Sequence, residues 1–484
     1  MPSRESPVGK EGTMAHSTAL RASPPERRAG ARAASDPRPD LRLHGEGRTP
    51  LLLRFTAFAM FFFPSSMVIK AIGASGTVPM ILCILLLLFW LASWIWRMHD
   101  PVNVRHPGRL AGAIFVLGVI ASYVSLYGGW TGDATVAGFA SADRWLILAF
   151  ASLGLILVAA ESVKTMADVL QLLRWLLAGA FFCCLVGVVQ FVGHVNPMEW
   201  IKLAMPGFTD NGGDTPFQLR GNLVRVAGST FHSIEFAVVS AMVLPLSIWR
   251  ALYDPKGKRW FHWVQTALLV FAVAATVSRS GTLAAVVAIA VLVPFLPRLA
   301  RVWALTILPF VVVALFLGVP GFIATITGAL SADTSDPSIS TRVNNYPRVA
   351  QMLDERPWFG VGPGNYVPKN ALQILDNQYL NSAVSMGIVG LLCVGIYLIL
   401  PGLASLHAAR HAVSPALRCL AGASAAGLLV AAVCSATFDS LSFPTFALCY
   451  PLLVGLGGAI WILVSQESAA IESSSPALHT NRMS

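Results

Sequence analysis

The strongest constraint on this chain is a succession of apolar runs, each close to twenty residues long and closed by charges, Pro or Gly. As a helix, a run of that length reaches across roughly 30 Å, the hydrocarbon thickness of a bilayer. Twelve such runs start near 51, 76, 109, 144, 168, 231, 262, 281, 302, 378, 418 and 443. The expected fold is therefore an all-α polytopic membrane protein with about twelve transmembrane helices. Composition agrees, because only 12% of the residues are charged, about half the share of a soluble domain. The seven cysteines all fall inside apolar runs without ligand-type spacing, so neither a disulfide framework nor a metal site is indicated.

The domain organisation follows from the same runs. Residues 1–50 are rich in Arg, Ala, Ser, Pro and Gly and carry no signal-peptide core, so a disordered cytoplasmic tail is expected there. A transmembrane domain is expected over 51–465 and a second cytoplasmic tail over 466–484. With an even number of spans both termini share one side, and placing them in the cytoplasm puts most of the 34 Lys and Arg residues inside. The net charge of +10 then faces anionic lipid and gives no reason to expect nucleic acid as a partner.

Two expected outer segments are too long to be simple connectors. In 194–230, the stretch NPMEWIKLAMPGF can lay Trp200, Ile201, Leu203, Ala204 and Met205 in the membrane interface as a half-buried helix. In 327–377, before the tenth span, Val343, Tyr346, Val349, Ala350 and Leu353 recur at helical spacing, with Pro347 admissible only in the first turn. Loops of that length are usually functional.

Ionisable groups at the outer membrane surface are expensive to keep there and form a short list of candidates. Arg279, in VSRSGTL, either closes a hairpin by snorkelling or binds an anion with its bidentate donors beside Ser278, Ser280 and Gly281. Arg225 precedes the sixth span, and Glu235 stands one or two turns into it, either as a functional carboxylate or as the partner of a nearby Arg. His232 can serve as a base or as a satisfied interfacial group. Arg342 and Arg348 lie in the long loop, and Asp439 lies between the last two spans. Asp376 and Asn377 stand at the mouth of the tenth span, where a carboxylate can act as general base or cap the helix. The nearby GVGPGNY lacks a Walker Lys and a preceding strand, so it reads as a tight turn that brings the amphipathic segment back over the membrane.

The order of these elements resembles the O-antigen ligase and polymerase superfamily of bacterial polysaccharide assembly. The resemblance rests on an Arg-x-x-Gly before a span, SRSG between two spans, an outer-loop Arg followed by PWFGVGPGN, and then DNQYLNSAVSMGIVG. It covers about 225–395, with TFDSLSFP at 437–444. It implies a GT-C-like glycosyltransferase in the cytoplasmic (inner) membrane, working at its outer face. The implied donor is an undecaprenyl-diphosphate-linked glycan, and the acceptor is a glycan or a lipid-linked one. Arg225, Arg279 and Arg342 are the positions matching the family's diphosphate-binding arginines, and Asp376 is the candidate base, supported by Asn377, Glu235 and Asp439. No cofactor or metal enters that account. Ligases of the family carry a His where this chain has Asp376, which points toward a polymerase or a ligase with another acceptor. The competing expectation is a transporter or flippase of polyprenyl-linked glycans, although no internal repeat supports it.

Overall fold

The structure, a computed structural model, describes residues 47–99, 105–131, 135–211, 217–220, 223–318, 337–368, 370 and 373–474. Nearly all of the expected N-terminal tail, residues 475–484 and the loop residues 327–336 lie outside the described residues. The rest is predominantly helical.

A helix occupies each stretch where an apolar run was counted. In chain order the helices are α1 (Leu51–Phe62), α2 (Val78–Ile95), α3 (Pro107–Tyr127), α4 (Val136–Ser162) and α5 (Met166–Gly193), then the short α6 (Met198–Leu203). After it come α7 (Ser233–Tyr253), α8 (Arg259–Ala275), α9 (Arg279–Leu292), α10 (Arg298–Gly318) and α11 (Pro337–Glu355). The last three are α12 (Gln378–His411), α13 (Pro415–Cys434) and α14 (Pro444–Ser474). Among the described residues, eight are long and apolar enough to cross a membrane: α2, α3, α4, α5, α7, α12, α13 and α14. α1 and α9 are shorter apolar helices. The helices start where local chemistry lets them. Thr165 and Asp168 form a capping box at the head of α5, and Ser414 caps α13 with Pro415 in its first turn.

The core lies where α7, α13 and α14 meet. Their apolar windows are 83%, 83% and 89% buried, whereas that of α2 is only 28% buried, so α2 is peripheral. α12 packs between α3 and α13, and α14 packs along α4. Small residues allow close approach in the absence of a hydrophobic drive between helices: a Cβ on Gly455 would meet Ala159, and one on Gly427 would meet the Met242 carbonyl. Proline also leaves helix carbonyls without donors. Pro401 in α12 cannot serve Tyr397, and the Tyr450 hydroxyl of α14 donates to that carbonyl instead, at 2.6 Å. With no water in hydrocarbon, such a substitute donor is what makes the proline tolerable.

Two small antiparallel strand pairs decorate the end of the bundle that carries the candidate residues. β1 (Met67–Ile69) pairs antiparallel with β2 (Phe208–Asp210), and β3 (Phe217–Arg220) with β4 (Leu223–Val226). α6 buries Met198 and leaves Trp200 and Leu203 exposed, with Lys202 tied to Asp210 at 2.9 Å. The structure corrects two details of the long loop. Pro347 falls in the interior of α11, not in its first turn. Its buried stripe is also rotated from the expected one, because Asn345 and Val349 are buried while Tyr346 and Ala350 are exposed. Asn345 turns inward because its amide donates to the Ile374 carbonyl, and Val349 packs with Leu375 and Val384.

Candidate functional site

The helix ends that carry the candidates are joined by a chain of hydrogen bonds. Arg225, on β4, donates from Nε to the Thr276 carbonyl at 3.0 Å, at the end of α8. Three residues later Arg279 opens α9, whose cap Ser278 accepts from Gly281. The turn between the two helices is sharp enough to hold Val277, a buried β-branched residue, at φ +49°. That conformation costs about 1–3 kcal/mol and persists only where the surroundings enforce it. Cys434, at the end of α13, reaches the Ser280 carbonyl, and the adjacent Ser435 carbonyl accepts from Gln378 N at 2.8 Å. Gln378 opens α12, two residues after Asp376.

Each predicted carboxylate has a definite place. Glu235 is fully buried and, among the described residues, pairs with no arginine side chain; its oxygens accept the backbone N–H groups of Phe231 at 2.8 Å, Thr445 at 2.6 Å and Phe446 at 2.9 Å. It thereby supplies the missing cap of α14, whose first turn has donors and no intrahelical acceptors. Asn377 is the cap of α12, accepting from Tyr379 and Leu380, which leaves Asp376 exposed just ahead of the helix. Asp439 is half-buried and accepts from the Ser442 hydroxyl. Burial pushes its carboxyl up to about 6, and the Asp376 charge adds to the rise, while Ser442, Asn381 and Arg144 oppose it. The two carboxylates are therefore electrostatic neighbours.

His232 caps α7, with Nδ1 accepting from Ile234. Burial, and then the Arg225 guanidinium, push its imidazole down to about 4, so it is neutral at pH 7. Arg342 stands in α11, and its side chain lies outside what the structure describes. Arg348 sits over the Tyr366 ring, 5.7 Å from its centroid.

Arg144, which the motifs above do not include, also belongs to this cluster. From the first third of α4 its Nη2 donates to the Ser442 carbonyl at 2.7 Å, and its charge reaches Asp439. The signal was available: an arginine at the head of an apolar run needs a partner, and the adjacent Asp143 accepts from the Tyr123 and Tyr127 hydroxyls instead.

PWFGVGPGN does more than turn the chain. α12 is broken at Gly387, whose φ of +66° and ψ of −163° are not helical. The break separates the carbonyls of Val384 and Ser385 from the N–H groups of Ile388 and Val389. The loop takes both sets of partners. Val361 and Gly362 donate to Val384 and Ser385 at 3.1 and 2.8 Å, and Ile388 and Val389 donate to Pro357 and Trp358 at 2.8 and 3.3 Å. Two glycines make the approach possible, since a Cβ on Gly360 would strike the Val384 carbonyl and one on Gly387 would strike Trp358. Ser122 of α3 then donates to the Phe359 carbonyl at 2.9 Å. The motif locks the mouth of α12 to its neighbours.

Residues 265–395, from α8 to just past the break in α12, match the family model described as O-Antigen ligase. This segment belongs to the O-antigen ligase superfamily. Arg279, Arg342, Asp376 and Asn377 fall inside it, while Arg225, Glu235, Asp439 and Arg144 fall outside the matched residues. No curated protein matches the chain. The O-antigen ligase segment and the apolar helices together make this a multi-pass membrane protein of ligase or polymerase type.

Proposed function

We propose that this protein transfers or polymerises a glycan from an undecaprenyl-diphosphate carrier at the outer face of the cytoplasmic membrane. The observation that carries the reading is the Arg225 guanidinium bound to the Thr276 carbonyl, at the turn from which Arg279 opens α9. Two cationic side chains and a helix N-terminus at one membrane-edge turn favour a polyanionic group such as a diphosphate. Arg342, from the loop helix, is the third expected ligand.

In the reaction, an acceptor hydroxyl attacks the anomeric carbon as the bond to the diphosphate oxygen breaks. The diphosphate leaves with the electron pair, and guanidinium charge placed where that negative charge develops lowers the barrier. The hydroxyl proton passes to a carboxylate. Asp376 is exposed and able to meet an incoming acceptor, and the neighbouring Asp439, raised to about 6, is a stronger base than an ordinary aspartate. The absence of a loop histidine favours a polymerase or a ligase with an acceptor other than lipid A core.

The test is reconstitution of the purified protein with radiolabelled undecaprenyl-diphosphate oligosaccharide, beside Arg279→Ala and Arg342→Ala. A ladder of lengthening glycan means polymerase, and a single transfer to an added acceptor means ligase; both variants should lose release of the lipid diphosphate. Full activity in both variants would remove the basis of the reading. Label crossing the bilayer without release would replace it by transport.

A further inference from the structure

At the opposite end of α4 from Arg144, a cavity of about 820 Å³ opens between α1, α2, α4 and α5. Glu161 lies on its wall, seventeen residues along α4 from Arg144, or roughly 25 Å of helix. The volume is within the range of about 300–1,000 Å³ typical of ligand pockets. The lining is divided by chemistry. Leu52, Leu86, Phe89 and Val158 make an apolar wall continuous with the helices that cross the membrane, whereas Arg48 and Lys164 stand at the rim, both exposed, and the Asp168 carboxylate between them is occupied by their backbone N–H groups.

Between the two lies a polar group centred on Glu161. Its Oε2 accepts from the Trp90 indole at 2.8 Å and lies 3.6 Å from His99 Nε2. His99 is in turn bonded through Nδ1 to the Ser93 hydroxyl at 2.9 Å. The other oxygen, Oε1, is buried and finds no hydrogen-bond partner among the described residues. A buried carboxylate oxygen without a donor is costly, and because Glu161 lines the cavity, a small rotation of its carboxylate puts that oxygen within reach of a donor there. The depth of the site is also defined. Trp94 and Trp96, 50% and 73% exposed, follow Trp90 at the end of α2, and exposed indoles of this kind settle at the level of lipid headgroups.

We propose that this cavity binds the headgroup of phosphatidylethanolamine. Its phosphate meets Arg48 and Lys164, whose charges suit a phosphodiester. Its primary ammonium donates to Glu161 Oε1, and its acyl chains lie on the Leu52, Leu86 and Phe89 wall. A quaternary ammonium has no N–H and cannot supply the missing donor, so phosphatidylcholine is the discriminating comparison. The site is separate from the candidate catalytic end and independent of the glycosyltransferase reading.

The full-length protein, exchanged into detergent, is titrated with phosphatidylethanolamine, its mono- and dimethyl derivatives, phosphatidylcholine and phosphatidylglycerol, and bound lipid is counted by native mass spectrometry. Affinity for phosphatidylethanolamine should exceed that for phosphatidylcholine at least tenfold and should fall stepwise with methylation. Glu161→Gln should erase the preference, while Arg48→Ala with Lys164→Ala should weaken all phospholipids together. Equal binding of phosphatidylethanolamine and phosphatidylcholine by the unmodified protein overturns the proposal, and this comparison requires no variant to fold. Preferential binding of phosphatidylglycerol also overturns it, as does a preference that survives in folded Glu161→Gln.

Discussion

Glu235 at the head of α7 holds the backbone N–H of Phe446 at the head of α14, 2.9 Å away and 211 residues along the chain. The same oxygen accepts from Thr445 at 2.6 Å, and the second oxygen returns to Phe231. One side chain thus caps one core helix and the approach to another. Removing it leaves three donors without their carboxylate, and each buried unsatisfied group costs about 1–3 kcal/mol.

Glu235→Ala is therefore expected to destabilise by at least roughly 3 kcal/mol. In detergent its thermal midpoint should fall well below that of Glu235→Gln, which keeps one acceptor oxygen. Equal midpoints for the parent and Glu235→Ala would show that the carboxylate is not a structural cap.

The break in α12 sets up a comparison among glycines. Gly360 and Gly387 both have φ of +66°, and a Cβ on either would strike backbone, so Gly360→Ala and Gly387→Ala should yield little monodisperse protein by size-exclusion chromatography. Gly395, on the same helix, has nothing within 4 Å of the place a Cβ would occupy. Gly395→Ala should behave as the parent or better, since alanine favours helix by about 1 kcal/mol.

Asp439 predicts a pH dependence of stability. Its folded carboxyl is raised from 3.8 to about 6, chiefly by burial, so between these values the folded state binds more protons than the unfolded one. Stability from this group is complete below pH 4 and declines as pH rises toward 6, by roughly 3 kcal/mol at most. Asp439→Asn should flatten that part of the profile. Thermal midpoints measured at pH 4.5 and 7 check it, and an unchanged slope in the variant would refute the assignment.

Arg225 combines charge with a directed hydrogen bond to Thr276. Arg225→Lys retains the cation and loses the guanidinium Nε, so lipid-diphosphate release should fall less than in Arg225→Ala. For the alanine variant a loss of about 10²–10³ is expected by analogy with other donors to developing anions. Rates from the reconstituted assay decide the order, and equal rates in all three proteins would exclude Arg225 from the reaction.

Helix positions were legible in the sequence because what places them is local. Apolar length is a property of consecutive residues, and caps such as Thr165 with Asp168 or Ser414 with Pro415 act within one turn. The resemblance of VSRSGTL and PWFGVGPGN to a ligase family was legible for the same reason: each motif is short. The partners were not. The hydropathy of 378–411 runs through Gly387 without a mark, because hydropathy does not report backbone conformation and glycine occurs both within membrane helices and at their breaks. Only the packed structure brings Pro357–Gly362 against the break, where unpaired backbone groups cannot turn to water. Neither Glu235 nor Arg144 shows in the sequence what it binds. Tertiary structure placed the N–H groups of α14 and the Ser442 carbonyl beside them, since a buried polar group takes whatever partner the fold brings within reach, at any separation along the chain.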